Sequence, residues 1–281
     1  MNTDIIRQRS GALAPDNPYG FRSVFNFSEP YGAKKLIGPG RPLILNGSWR
    51  SRPRGPFGLA ASPVATIDAA TSLDMGLKAS QVGWGASARP WSMLYCFFSV
   101  GTSTDGALLA GGADSGVGNF QFAMRGASNH LSMRFGGVPD WDSIIYKPVT
   151  VPSITTFAYT YGGFGAHNAI ICDRDVQGNI RGWYAPSASG SSTISDVNAV
   201  RIGVPFDGGS PMTNTGDGIF LVGLSDQRWT SVQRRALALN PFSILSANTT
   251  ASKRWDSQAA ASSFKPYWSS QRPRIYGAGV R

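Results

Sequence analysis

Paired carboxylates, histidine beside a nucleophile, and clusters of metal ligands are the arrangements that do most protein chemistry, and this 281-residue chain offers few of them. Glycoside hydrolysis takes two carboxyl groups on one surface, about 5 Å apart in retaining enzymes. Glu29 is the single glutamate, and it stands in a proline-rich stretch. Aspartate pairs occur at Asp140 and Asp142 in PDWDS, and at Asp173 and Asp175 in CDRD. On an extended strand residues i and i+2 share a face. The simpler reading of both pairs is turn capping by solvated aspartates. No catalytic residue is assigned, and the chain is not expected to be an enzyme.

The two histidines, His130 and His167, each neighbour an asparagine in turn-like sequence. A serine triad needs a histidine oriented by an acid and a serine on a sharp turn, and Gly-x-Ser-x-Gly does not occur. Cys172 and His167 lie five residues apart, which on a strand puts them on opposite faces. Two lone histidines and two lone cysteines have no zinc-ligand spacing. Calcium would take loop aspartates and carbonyls. Asp105, Asp114 and Asn119 occupy one glycine-rich region, and Asp207, Asn214 and Asp217 another. Neither follows the spacing of a calcium loop, and Asx-turns account for both. The glycines of TYGGFGAHN precede no helix that could aim amides at a phosphate. Neither cofactor nor metal is expected.

Aromatic residues are the stronger lead. Trp141 beside Asp140, and Trp183 with Tyr184, would stack on a sugar ring if exposed, although large aromatics more often fill a core. The tail mixes Trp255, Phe264, Tyr267, Trp268 and Tyr276 with Arg254, Lys265, Arg272 and Arg274, and shows no helical or strand period. Aromatic and arginine anchors suit a protein interface. Nucleic acid accepts a similar mix by stacking and phosphate contacts. Folding of the tail onto its own domain is the third option.

Composition limits the fold. Glycine and proline number 34 and 18, too many for a helical bundle. Charged residues make up 15%, well below the usual quarter or so. The formal charge is nevertheless +10, from 26 basic and 16 acidic residues. Arg50, Arg52 and Arg54 crowd one early loop, and Lys253, Arg254, Lys265, Arg272, Arg274 and Arg281 crowd the tail. Basic charge favours nucleic acid, a membrane surface or an acidic protein lattice. Cys96 and Cys172 sit in the apolar runs LYCFFSV and AIICDRD, so buried free thiols are expected, with a single bridge as the alternative. The opening MNTDIIRQRSGALAPDNP has no apolar stretch after its charges and does not read as a secretory signal. No run approaches the ~18 apolar residues of a membrane helix.

Proline and glycine punctuate residues 1–63, in APDNPYGF, SEPYGAKK, IGPGRPL and SRPRGPFG, which predicts an extended arm. Leu43-Ile44-Leu45 could pair there as an edge strand. Over residues 64–245 short apolar and β-branched segments alternate with Gly, Asn, Asp and Ser clusters. The expected strands are VATIDAA, WSMLYCFFSV, GALLAGG, NFQFAMRG, HLSMRFGG, TTFAYTYG, NAIICDRD, IRGWYA, VRIGV and GIFLVGLS. Gly126-Ala127-Ser128-Asn129 and Val176-Gln177-Gly178-Asn179 predict hairpin turns. Thr230 and Gln233 form a capping-box pattern opening a short helix, with Val232, Ala236, Leu237 and Leu239 as its apolar stripe and Gln233, Arg234 and Arg235 facing out. Pro241 stops it.

The segment GDGIFLVGLSDQRWTSVQRRALALNPFSIL resembles the closing segment of laminin-G-like, concanavalin-A-like jelly-roll domains of bacteriophage virion proteins. Gly218-Ile219, the loop Ser225 to Trp229, the helix after Thr230 and Asn240-Pro241-Phe242 carry the likeness. PWSMLYCFFSV is similar to an early strand of that fold, and TTFAYTYGG to a central one. Asp173-Arg174-Asp175 with a delayed Gly178 departs from the usual Asp-Gly turn. Polysaccharide-cutting enzymes of the fold share a Glu-x-Asp-x-x-Glu strand, which this chain lacks.

The fold expected is therefore all-β, a two-sheet antiparallel jelly-roll sandwich over residues 64–245, with one short helix, an N-terminal arm (1–63) and a basic aromatic C-terminal arm (246–281). The function expected is that of a structural component of a bacteriophage virion: a capsid decoration, a head or collar appendage, or a tail adaptor. Its partners would be other virion proteins and copies of itself, met through the tail residues above. Neither nucleic acid nor a membrane is expected as a partner. The alternative is a carbohydrate-binding module for a host-surface glycan, with Asp140, Trp141, Trp183 and Tyr184 as contacts. A polysaccharide hydrolase of the same fold is a distant third.

Overall fold

A computed structural model describes residues 9–13, 17–27, 34–41, 43–46, 50–52, 64–67, 72–85, 89–99, 106–113, 117–125, 130–135, 145–148, 151–175, 177–190, 193–203 and 217–247. The first strands are β1 (Arg9–Leu13), β2 (Phe21–Asn26), β3 (Lys34–Ile37), β4 (Leu43–Asn46), β5 (Arg50–Arg52), β6 (Val64–Ile67) and β7 (Ser72–Asp74). A 3-10 turn at Ala79–Val82 leads to β8 (Trp91–Ser99), β9 (Gly106–Gly112), β10 (Asn119–Arg125), β11 (His130–Phe135), β12 (Ile145–Pro148) and β13 (Ser153–Tyr161). Then come β14 (Ala166–Arg174), β15 (Ile180–Tyr184), β16 (Ser187–Ser189), β17 (Asn198–Ile202) and β18 (Asp217–Ser225). Helix α1 (Ser231–Leu239), a 3-10 turn at Pro241–Ile244 and β19 (Leu245–Ala247) close the described chain.

Two antiparallel sheets face each other. One runs β12-β11-β10-β9-β17-β7-β4, and the other runs β15-β14-β13-β8-β18-β2-β3 with β16, β5 and β6 attached. The pattern of β8 shows why. Trp91, Met93, Tyr95 and Phe97 point into the core between the sheets, while Leu94, Cys96 and Phe98 point to the outer face. Alternation normally leaves one face polar, but here α1 and the Pro241–Ile244 turn cover the second face, so all nine residues of β8 are buried. β18 follows the same rule with one bulge: Ile219, Val222 and Leu224 face inward, Phe220 and Leu221 outward. The extra residue of a β-bulge is what allows two successive side chains on one face.

All ten strands expected from the sequence are present. The hairpin β10–β11 pairs Phe120 with Phe135 through Arg125 with His130, and its turn lies outside the described residues. The β14–β15 turn is held by Asp175, whose Oδ1 accepts from the amides of Gln177 and Asn179 at 2.9 and 2.8 Å. Both cysteines are buried free thiols.

Two expectations are corrected. Residues 1–63 do not stand apart from the sandwich where they are described: β2 lies between β18 and β3, β4 edges the other sheet, and β1 pairs with β19. The dense prolines and glycines divide this stretch without preventing FRSVFNF from alternating, with Phe25 and Phe27 in the inner core and Phe21 and Val24 on the outer face. The inner face of α1 is also different. Arg234, Leu237 and Ala238 are its buried residues, whereas Val232 is 76% exposed. Arg234 turns inward because its guanidinium donates to the Trp229 carbonyl at 2.6 Å, closing an acceptor in the loop before the helix. At the other end Arg174, buried on β14, donates to the carbonyls of Ala238 and Leu239, a cation placed where a helix end is negative. The capping box holds as expected: Gln233 N–H donates to Thr230 Oγ1, and Thr230 N–H to Gln233 Oε1.

Candidate functional site

The starts of β8 and β2 and the end of β18 meet at one end of the sandwich, because Ser225 pairs with both Ser92 and Phe21. The end of β13 joins them, Tyr161 pairing with Trp91. The facing sheet contributes the β9–β10 turn, whose Gly118 carbonyl accepts from Ser195 N–H at 3.1 Å. Here residues of the 3-10 turn and its exit, together with Arg89 and the pair Ile194 and Asp196, form an open cleft of about 400 Å³, lined by Ser80, Gly83, Trp84, Gly85, Arg89, Ile194 and Asp196.

The cleft is built on rigid supports. Lys78 N–H donates to the Gln81 side chain at 2.7 Å, and Asp196 Oδ1 accepts from Ser80 N–H at 2.9 Å. Gly83 ends the 3-10 turn in a left-handed conformation, φ +78°, and a Cβ there would lie 2.4 Å from Asp226 Cβ. Gly85 has φ +111°, and a Cβ there would meet the Ile194 carbonyl at 2.6 Å. Both positions therefore need glycine. Between them Trp84 is 3% exposed, its ring 4.4 Å from that of Trp91. Asp226, behind Gly83, is tied to Arg22 by a 2.6 Å ion pair. That contact raises the already high pKa of Arg22.

The chemistry on offer is a guanidinium, a carboxylate and a hydroxyl lining the cleft beside a tryptophan that is itself almost wholly buried. A few convergent polar groups are what a small-ligand site uses to fix orientation. Arginine and aspartate together can donate to and accept from neighbouring hydroxyls.

Behind the cleft lies a buried polar chain. The Gly190 carbonyl only accepts, so His167 Nε2 donates to it at 2.8 Å, and the neutral ring accepts at Nδ1 from Tyr159 Oη at 2.6 Å. Burial lowers the His167 pKa and raises that of Tyr159 well above its ordinary value. As expected, His167 and Cys172 lie on opposite faces of β14.

The residues singled out from the sequence are dispersed. Asp140, Trp141 and the tail residues Arg254, Trp255, Phe264, Lys265, Tyr267, Trp268, Arg272, Arg274 and Tyr276 lie outside the described residues, as do Asp105, Asp114, Asp207 and Asn214. Trp183 is 46% exposed on the outer face, with Arg235 Cζ 4.7 Å from its ring centroid. Tyr184 packs against the inner core. Successive strand residues point to opposite faces, so this pair does not form one platform. Asn119 is buried and donates to the Ala113 carbonyl. Asp173 is buried and Asp175 caps its turn. Among the described residues no three His, Cys, Asp or Glu side chains are grouped to hold a metal, and no helix is long and apolar enough to cross a membrane. The cleft residues Ser80, Trp84, Arg89 and Asp196 escaped the sequence reading. The one signal was a tryptophan held between glycines, in GWG.

No family model and no curated protein matches the chain. Solved structures do. Domain 4 of AbnA, a GH43 extracellular arabinanase from Geobacillus stearothermophilus solved in complex with arabinotriose, is 14% identical with a TM-score of 0.54, the match covering 78% of this chain and 98% of that one. A receptor binding domain is 9% identical, TM-score 0.51, covering 79% and 51%. The enzymatically active domain of tailspike protein 2 of bacteriophage CBA120 is 10% identical, TM-score 0.50, covering 75% and 32%. At these identities the likeness is one of fold. The chain is an all-β sandwich, two antiparallel sheets with one short helix, of the jelly-roll kind.

Proposed function

We propose that this protein is a non-catalytic carbohydrate-binding sandwich that recognises a surface glycan through the cleft at its loop end. The observation that carries the reading is that cleft, where Arg89, Asp196 and Ser80 line an opening beside the buried Trp84. The shared fold of an arabinanase domain solved with arabinotriose supports it. One carboxylate, that of Asp196, lines the cleft, where glycoside hydrolysis uses a pair, and this supports binding without cleavage.

The test is an array of plant and bacterial surface oligosaccharides probed with the full chain and with Arg89→Ala. Removing a charge-assisted hydrogen bond should weaken the strongest hit by about tenfold, while Trp183→Ala leaves it unchanged. An empty array, or hits indifferent to Arg89→Ala, would overturn the reading.

Placement on a bacteriophage particle is the second part of the proposal. The laminin-G-like resemblance of the closing segment, and the fold shared with a phage tailspike domain, support it. In that setting the sandwich meets the host glycan and residues 254–276 dock on other virion proteins or on copies of the chain. Light scattering on the full chain and on a chain ended at Asn248 tests this part. Assembly by the full chain alone is expected, and monomers in both cases would contradict it.

A further inference from the structure

Phe164 stands at the tip of the turn joining β13 to β14, with φ +51° and 90% of its surface exposed. Among the described residues it is the one non-glycine with a positive φ. A phenylalanine held this way is strained, and its ring recovers nothing by burial.

The turn is held firmly enough to maintain that strain. Gly163 and Gly165 on either side take φ +83° and +86°. Gly162 N–H donates to the Ala166 carbonyl at 2.7 Å, and Gly165 N–H to Tyr161 Oη at 3.0 Å. The Gly165 carbonyl accepts from Gly190 N–H at 2.9 Å, and His167 donates to the carbonyl of that same Gly190. Four residues beyond Gly190 is Ile194, a wall of the cleft. The ring and the cleft belong to one end of the sandwich, where Tyr161 pairs with Trp91 and the Trp91 ring lies 4.4 Å from that of Trp84.

We infer that Phe164 is a second sugar-binding position, an exposed aromatic face for the C–H side of a pyranose or furanose ring, so that the site takes an extended oligosaccharide rather than a lone terminal sugar. The inference rests on the glycan-binding reading above. An exposed aromatic ring on a loop whose backbone is held by hydrogen bonds suits a ligand that stacks, because the loop itself needs no ordering on binding. Strain kept at a position with no packing role is what a binding function explains.

Phe164→Gly separates folding from binding. Glycine adopts the observed φ freely, so the melting temperature should hold or rise. Affinity for array oligosaccharides of three or more sugars should fall by about fivefold to tenfold, while mono- and disaccharides lose less than about twofold. Phe164→Trp should keep or strengthen binding of the longer ligands. Equal affinities for wild type and Phe164→Gly across all lengths would overturn this inference and leave the cleft intact. Failure of the wild type to bind any glycan would overturn both. Unchanged glycan binding combined with loss of self-assembly in Phe164→Gly would assign the ring to protein contact instead, and also overturns it.

Discussion

The Tyr159 hydroxyl reaches Nδ1 of His167 across 2.6 Å, and the other ring nitrogen of His167 holds the Gly190 carbonyl at 2.8 Å. A buried imidazole thereby ties the inner sheet face to Gly190, whose N–H in turn holds the Gly165 carbonyl. Burial holds its pKa below the ordinary 6.5. The unfolded chain therefore binds this proton more readily than the folded one. Stability from this group is present above pH 6.5 and is lost as pH falls below 6.5 toward the folded-state value. Melting temperatures between pH 8 and pH 5 should drop on the acid side in the wild type, and less steeply in His167→Gln. Parallel curves would contradict it.

Helix α1 offers a second check. Arg234 donates from a buried position to the Trp229 carbonyl, while Arg235 is exposed over Trp183. Arg234→Ala should cost about 1.5–3 kcal/mol in chemical denaturation, as expected for a lost hydrogen bond to a charged group. Arg235→Ala and Val232→Lys should each stay within about 0.5 kcal/mol. The reverse ranking would restore the helix face expected from the sequence.

The cleft depends on its glycines. Gly85→Ala places a Cβ 2.6 Å from the Ile194 carbonyl on a backbone with φ +111°, so it should destabilise by about 1–3 kcal/mol. It should also weaken glycan binding beyond what Ala→Gly changes on the exposed α1 surface do at equal stability loss. Binding preserved in a destabilised Gly85→Ala protein would separate the glycan from this cleft.

Burial pushes the Cys96 thiol up to about 12, and raises that of Cys172 as well. A thiolate is the reactive species. Neither cysteine should react with a thiol reagent at pH 8 in the native protein, and both should react in denaturant. Native labelling of either would contradict the packing on the outer face.

The strands were legible because their signal is local: WSMLYCFFSV and TTFAYTYG have the length, the β-branched and aromatic content, and the bounding turns of buried strands. The capping box at Thr230 was equally local. The membership of β2 and β4 was not, since it depends on partners about 200 and 30 residues away. The helix face was misread because arginine was counted as solvent-facing, when a long cation can turn in to satisfy a carbonyl. Trp183 and Tyr184 looked like one platform until strand geometry divided them. The cleft joins Ser80, Trp84 and Arg89 to Ile194 and Asp196, a proximity that no spacing announces. Phe164 lies in plain view in YGGFGAH, but only the structure shows its positive φ and its exposed ring.

The most direct measurement follows the indole N–H signals of the isotope-labelled full chain as the strongest array ligand is added, with assignments made from Trp→Phe variants. A saturable shift of the Trp84 signal, absent in Arg89→Ala and not accompanied by Trp183, is the result expected. A shift confined to Trp183, or no shift while binding is measured by another method, would place the glycan elsewhere and contradict the account.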